Sequence, residues 1–144
     1  MSGTKTLTII KPDAVSREYT GRILDIITRA GFHIAAMKLI SLTRKMAEDF
    51  YAVHKSKPFY PGLIQFITSG PVVVAILEKE NAVEEYRKLI GTTDPAKANE
   101  GTIRKMYAES TQKNAVHGSD SDENAATECD FFFSMLERYP KFDW

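Results

Sequence analysis

The sequence predicts an α/β (α+β) sandwich, a four-stranded antiparallel sheet covered by helices. Two observations carry that reading. Apolar or alternating stretches at 7–10, 32–42, 72–78 and 115–118 have strand length, and segments of helical spacing lie between them. Their order is strand, helix, strand, helix pair, strand, helix, strand, helix, and its first six main elements follow the βαββαβ split arrangement. No internal repeat, low-complexity segment or linker interrupts the chain, so residues 1–144 are expected to form one domain.

Taken in order, Leu7 to Ile10 follows a Thr-rich alternating start and reads as a strand. Pro12 ends it, because proline has no N–H for the ladder. A helix is expected after Thr20 as N-cap, with Ile23, Ile27 and Ala30 at helical spacing and Gly31 suited to the C′ position. Phe32 to Leu42 reads as the second strand. Thr43 can cap the next helix, which places Met46, Phe50 and Val53 on one stripe. A short helix near Gly62 to Thr68 closes at Gly70-Pro71, and Val72 to Glu78 is a buried strand.

Asn81 with Glu84 three residues later resembles a capping box for a helix bearing Val83, Tyr86 and Ile90 and stopping at Gly91. Thr92 to Lys113 is irregular, contains Pro95 and Gly101, and has one expected helical turn around Ile103. Loops of that length in compact domains are usually functional or disordered. After the strand Ala115 to Gly118, Ser121 can cap a helix carrying Ala125, Ala126, Cys129, Phe132 and Phe133. The aromatic tail, Tyr139 to Trp144, is expected to dock on a surface.

Composition narrows the function classes. With 43% hydrophobic residues the chain can build a core, and 19 basic residues balance 19 acidic ones. Zero formal net charge and no basic run argue against a specific nucleic-acid partner. The single cysteine, Cys129, excludes an internal disulfide framework. No segment approaches the roughly 18 apolar residues of a membrane span, and no signal-peptide pattern follows Met1, so a soluble cytoplasmic protein without a membrane partner is expected.

Four residues stand out chemically. His117 lies between an apolar pair and the turn Gly118-Ser119-Asp120, so a strand end would carry it toward a cleft, with Gly118 leaving space beside it. Lys11 ends the first strand, Arg87 borders an apolar helix stripe, and Arg104 lies in the long loop. A lone histidine is usually structural and single cations are usually solvated. Three cations brought together would suit a polyphosphate, two arginine forks and one lysine point charge. His33 and His54 have no motif around them and read as structural or exposed. The acidic run Asp120, Asp122 and Glu123 lacks the Ca²⁺-loop ligand pattern and reads as a solvated helix start. There is no P-loop segment, and no Gly-x-Ser-x-Gly elbow to make a hydrolase triad of His117, Ser119 and Asp120.

Over essentially its whole length the sequence resembles the nucleoside diphosphate kinases. The resemblance rests on Ile10-Lys11-Pro12-Asp13, Lys57-Pro58-Phe59-Tyr60-Pro61-Gly62-Leu63, Ser69-Gly70-Pro71-Val72-Val73, Gly101-Thr102-Ile103-Arg104 and Asn114 through Ser121. It implies a ferredoxin-like fold and transfer of the γ-phosphate of a nucleoside triphosphate, chiefly ATP, to a nucleoside diphosphate. It also implies Mg²⁺ bound through the nucleotide phosphates, with no metal ligand from the protein, and a homo-oligomer, tetramer or hexamer.

Position by position, the resemblance makes His117 the nucleophile of a ping-pong reaction through a phosphohistidine. It puts Lys11, Tyr51, Arg87, Thr93, Arg104 and Asn114 at nucleotide-site positions, and Phe59 under the base with Leu63 nearby. Ser119 and Glu128 fall where the histidine is supported. By residue type alone, Phe59 and Leu63 equally suit a core, Tyr51 its own helix, Glu128 a solvated helix face and Thr93 a turn. Lys105 and Lys113 flank the site where many family members have Gly and Arg, and Ala14 stands in place of a common Gly. The competing reading is a non-catalytic nucleotide-binding or protein-interaction module on the same fold.

Overall fold

The computed structural model describes residues 3–141. Its sheet has the order β2-β3-β1-β4, with β1 Lys5–Ile10, β2 His33–Ile40, β3 Val72–Glu78 and β4 Val116–Gly118. Every pairing is antiparallel, and β1 and β3 occupy the centre. Both faces of these central strands are covered, which is why Val72–Leu77 is a continuous apolar run.

One face, with Leu7, Ile9, Val72, Val74 and Ile76, packs under α3 Arg44–Phe50, α4 Tyr60–Ile67 and α7 Asp122–Phe132. The other, with Ile10, Val73, Ala75, Leu77 and Val116, packs under α2 Thr20–Arg29, α5 Ala82–Ile90 and α6 Ile103–Tyr107. Alternation along each strand sorts side chains between the two cores. Because His117 pairs with Ile9, both lie on the α3–α7 side, while the Gly118–Thr8 pair faces α5.

Several termini form as expected. Thr43 Oγ1 accepts from Met46 N, Ser121 Oγ accepts from Asn124 N, and Gly31 takes a positive φ of 96° just past α2. Others do not. Thr20 is already helical, and Tyr19 before it makes no side-chain cap. Asn81 is itself in the left-handed region (φ 57°) and donates from Nδ2 to Glu84 Oε2, so no capping box closes there. The α3 stripe stops at Phe50, which leaves Val53 80% exposed on a following 3₁₀ turn.

Two features are additional to the sequence reading. Pro12 does more than end β1; it starts a short helix, α1 Pro12–Ser16, at the position where its missing N–H costs nothing. In β2, Ala35 is bulged out of register between Ile34 and Ala36. The bulge's carbonyl accepts from Tyr139 N at 2.7 Å, and Lys141 N donates to Glu78 Oε1. The tail therefore docks by its backbone, with the Tyr139 ring exposed, while the expectation for Trp144 lies outside the described residues. The long loop is pinned by buried Ile103, by the Arg17–Glu109 ion pair and by Gln112 Nε2 donating to Gly62 O.

Candidate functional site

The second residue of β4 is His117, on a strand that pairs only with β1. Its Nε2 lies 2.8 Å from Glu128 Oε1 on α7, and each of the two side chains is 18% exposed. A carboxylate can only accept, so Nε2 carries the proton and Nδ1 of the neutral ring keeps its lone pair. Ser119 Oγ, fully buried, donates to the same Glu128 oxygen at 2.7 Å and accepts from Leu7 N at 3.1 Å. Glu128 is thus no solvated helix residue: it receives the imidazole and the serine together.

Tyr51 caps the C-terminal end of α3, buried, with no partner for its hydroxyl among the described residues. Burial raises its pKa, and the nearby Glu128 charge raises it further, so the phenol stays protonated. Phe50, the last residue of α3, meets the His117 ring at 5.6 Å between centroids with the planes at 74°. Nothing in the sequence marked Phe50 beyond its place on an apolar stripe.

The turn into β4 is built by Asn114 and Ala115. Val116 N donates to Asn114 O, closing a three-residue turn around Ala115, whose φ is 72°. Asp13 Oδ2 accepts from Ala115 N, and Lys11 N donates to Ala115 O. These bonds hold a non-glycine residue in the left-handed region, and the same segment presents Asn114 to Lys11.

Lys11 Nζ donates to Asn114 Oδ1 at 2.9 Å. Burial lowers the Lys11 pKa to about 8; Arg104 pushes the same way, and Asp13 opposes both. Arg104 is also buried. Its Nη1 and Nη2 each donate at 2.9 Å to a backbone oxygen, Gly91 and Val116 respectively, and its Nε has no partner among the described residues. Its pKa falls to about 10, first through burial, with neighbouring Arg87 adding to the fall. Arg104 thus lies close enough to Lys11 on one side and to Arg87 on the other for their charges to repel. Such a cluster is stabilised by an anion.

Of the remaining predicted residues, Phe59 is 54% exposed and does not belong to a core. Its ring lies 5.6 Å from the ring of His54 and 5.7 Å from Lys57 Nζ. Leu63, by contrast, packs against the α3–α4–α7 core. Arg87 and Thr93 are exposed, and Thr93 makes no side-chain hydrogen bond among the described residues. His54, read as structural or exposed, is half-buried between Tyr51 and Phe59, and burial lowers its pKa. His33 bonds through Nε2 to Tyr139 O, far from this cluster in the fold. Gly118 has a role other than leaving room for the histidine: a Cβ there would come within 3.0 Å of Tyr86 on the opposite face of the sheet. Asp120 accepts from Asn124 Nδ2, and Asp122 from Gly3 N, at the start of α7. A groove of about 400 Å³ beside α1, lined by Asp13, Arg17, Ser69 and Lys113 among others, holds none of the predicted site residues.

Comparison with known proteins agrees with this fold. A family model described as nucleoside diphosphate kinase matches residues 4–138. The nucleoside diphosphate kinase of Chlorobium limicola is 58% identical over 133 residues, covering 92% of this chain and 95% of that protein. That of Flavobacterium psychrophilum is 55% identical over 139 residues, 96% of this chain and all of its own length, 100%. Among solved structures, the nucleoside diphosphate kinase of Aquifex aeolicus superposes with a TM-score of 0.92 at 43% identity, covering 94% of this chain and 98% of that one. The halophilic enzyme of Halobacterium salinarum in complex with CDP gives 0.91 at 35% identity, covering 94% and 91%. Matched by the family model over residues 4–138 and by relatives more than half identical along nearly the whole sequence, this chain belongs to the nucleoside diphosphate kinase family.

Proposed function

We propose that this chain, as a single nucleoside diphosphate kinase domain, transfers the γ-phosphate of a nucleoside triphosphate, chiefly ATP, to a nucleoside diphosphate through His117. The observation that carries the proposal is the His117 Nε2–Glu128 bond, because it leaves Nδ1 as the nucleophilic atom. In the first half-reaction the Nδ1 lone pair forms a bond to the γ-phosphorus. The bond from that phosphorus to the β,γ-bridging oxygen breaks, and the diphosphate leaves with its electron pair. In the second half-reaction a terminal oxygen of another diphosphate attacks the phosphohistidine, and Nδ1 recovers its pair.

The protein's contribution is alignment and charge. Glu128 stabilises the imidazole as positive charge develops, and Ser119 holds Glu128. Lys11, Arg87 and Arg104 bind the phosphates, with Thr93 adding a hydroxyl. Lys11 and Asn114 act as a bonded pair toward the sugar and the transferred group. Tyr51 supplies an unpartnered hydroxyl near Glu128. Phe59 offers an exposed ring face for stacking on the base, with Leu63 behind it. The phosphate-facing set is three cations and one hydroxyl, with no carboxylate to hold Mg²⁺ on the protein. The ion enters as part of the nucleotide substrate, held by phosphate oxygens and water.

The acting form is a homo-oligomer, a tetramer or hexamer, in the cytoplasm. Self-association is supported by β2, an edge strand with Met37 and Leu39 51% and 65% exposed. No helix of the described residues is long and apolar enough to cross a membrane. Neither a membrane nor a specific nucleic acid is expected as partner.

The test is to incubate the protein with γ-labelled ATP and Mg²⁺ and then chase with GDP. Acid-labile label on His117 that moves to GDP is the expected result, and His117→Ala should take up none. Label on Ser119, or undiminished transfer by His117→Ala, would reject the proposal.

A further inference from the structure

The hydrogen bond to Glu128 fixes one point on the His117 ring but leaves the ring free to swing about that bond. The backbone adds little restraint, because β4 has only 3 residues and pairs on one side. In-line attack needs Nδ1 held in one direction, so a second restraint is required. The only ring in contact with the imidazole among the described residues is that of Phe50.

Phe50 is itself held from several sides. Its centroid lies 4.9 Å from Tyr51 with the rings perpendicular, 5.1 Å from Phe132 and 5.4 Å from Phe131. Tyr51 and Phe132 are 6% and 5% exposed, so the backing is fixed in the core. Glu128 and Phe132 are four residues apart on α7 and share one face of that helix. One helix face thus supplies both the acceptor for Nε2 and the support for the ring that meets the imidazole.

We infer that Phe50 is a positioning residue for this reaction: its half-buried ring, braced by Phe132 and Tyr51, sets the rotation of the His117 imidazole about the Glu128 bond and so the aim of Nδ1. The inference rests on His117 being the nucleophile. It requires an aromatic ring, since the tilt of 74° is the edge-to-face arrangement that ring quadrupoles favour.

The experiment compares wild type, Phe50→Leu and Phe50→Tyr as full-length proteins. Three quantities are measured: the single-turnover rate of His117 phosphorylation by Mg-ATP, the Kd of ADP, and the ¹⁵N order parameter of the His117 ring. An aromatic pair of this kind corresponds to roughly a two- to tenfold effect on rate. Phe50→Leu should therefore slow phosphorylation by roughly two- to tenfold, leave the ADP Kd unchanged, and lower the order parameter of the ring while Nε2–H stays bonded to Glu128. Phe50→Tyr should restore the rate and the order parameter. A Phe50→Leu protein with a wild-type rate or a wild-type order parameter would overturn the inference while leaving His117 phosphorylation standing. So would a slowed protein whose ADP affinity falls equally, which is general loosening. If wild type takes up no label on His117, the underlying reading falls, and this inference with it.

Discussion

Ser119 Oγ donates to Glu128 Oε1, the carboxylate oxygen that also receives His117 Nε2–H, and it accepts from Leu7 N in turn. Serine therefore ties the histidine's acceptor to the central strand β1. Ser119→Ala should leave the buried Leu7 N–H without an acceptor and lower stability by about 1–3 kcal/mol. Thermal unfolding checks this, and an unchanged Tm would show that the hydroxyl does not carry the link.

Glu128→Gln keeps an oxygen able to accept from His117 but removes the negative charge that favours a developing imidazolium. Phosphohistidine formation should slow by roughly tenfold or more, with nucleotide affinity little changed. Rapid-quench labelling measures it. A wild-type rate in this variant would mean that Glu128 only orients the ring.

Activity and stability should respond to pH in opposite directions at Lys11. Its pKa of about 8 lies below the ordinary lysine value of 10.5. The ammonium proposed to bind phosphate is lost as pH rises through about 8, so kcat/KM should fall there. Over the window from about 8 to 10.5 the unfolded chain binds more protons than the folded one, so this residue makes stability rise with pH. Lys11→Arg keeps its charge and should abolish the alkaline limb at a lower plateau. A pH–rate profile on both proteins decides it; a limb that survives in Lys11→Arg belongs to another group.

Arg104→Lys keeps a charge but not the planar fork. Two of the arginine's five N–H donors already go to Gly91 O and Val116 O, so the substitution acts on the frame around His117 as well as on the proposed phosphate binding. Both a higher KM and a lower Tm are expected. A change in KM alone would show that the backbone bonds are dispensable.

Gly118→Ala probes the opposite face of the sheet. Its Cβ would meet Tyr86 at 3.0 Å and Ile90 at 3.2 Å, and overpacking of this kind costs about 1–3 kcal/mol. Denaturant unfolding should show that loss. Wild-type stability would mean that α5 shifts to make room.

Much of this protein is readable from local sequence. Thr43 and Ser121 mark their helices because a cap bonds only two or three residues ahead. The strands follow from alternation and apolar runs, and their order with the helices points to the fold. Asn81 shows the limit of local reading: the side chain meets Glu84 as the pattern suggests, yet a left-handed backbone puts it in a different motif. His117, Lys11 and Arg104 could be named as chemically apt, but types and spacing could not show that they meet.

Which residues meet is a property of the tertiary structure. Lys11 and Asn114 are 103 residues apart, and they bond because β1 and β4 pair in one register. The same register sets His117 opposite Ile9, beneath α3 and α7; a slip of one residue would turn the imidazole toward α5. Periodicity in a chain reports which face of an element is apolar, a matter of a few neighbouring residues. Which helix then lies over a given face, and so whether Glu128 and Phe50 reach the histidine, depends on packing between segments distant in sequence, where no short-range pattern records the outcome.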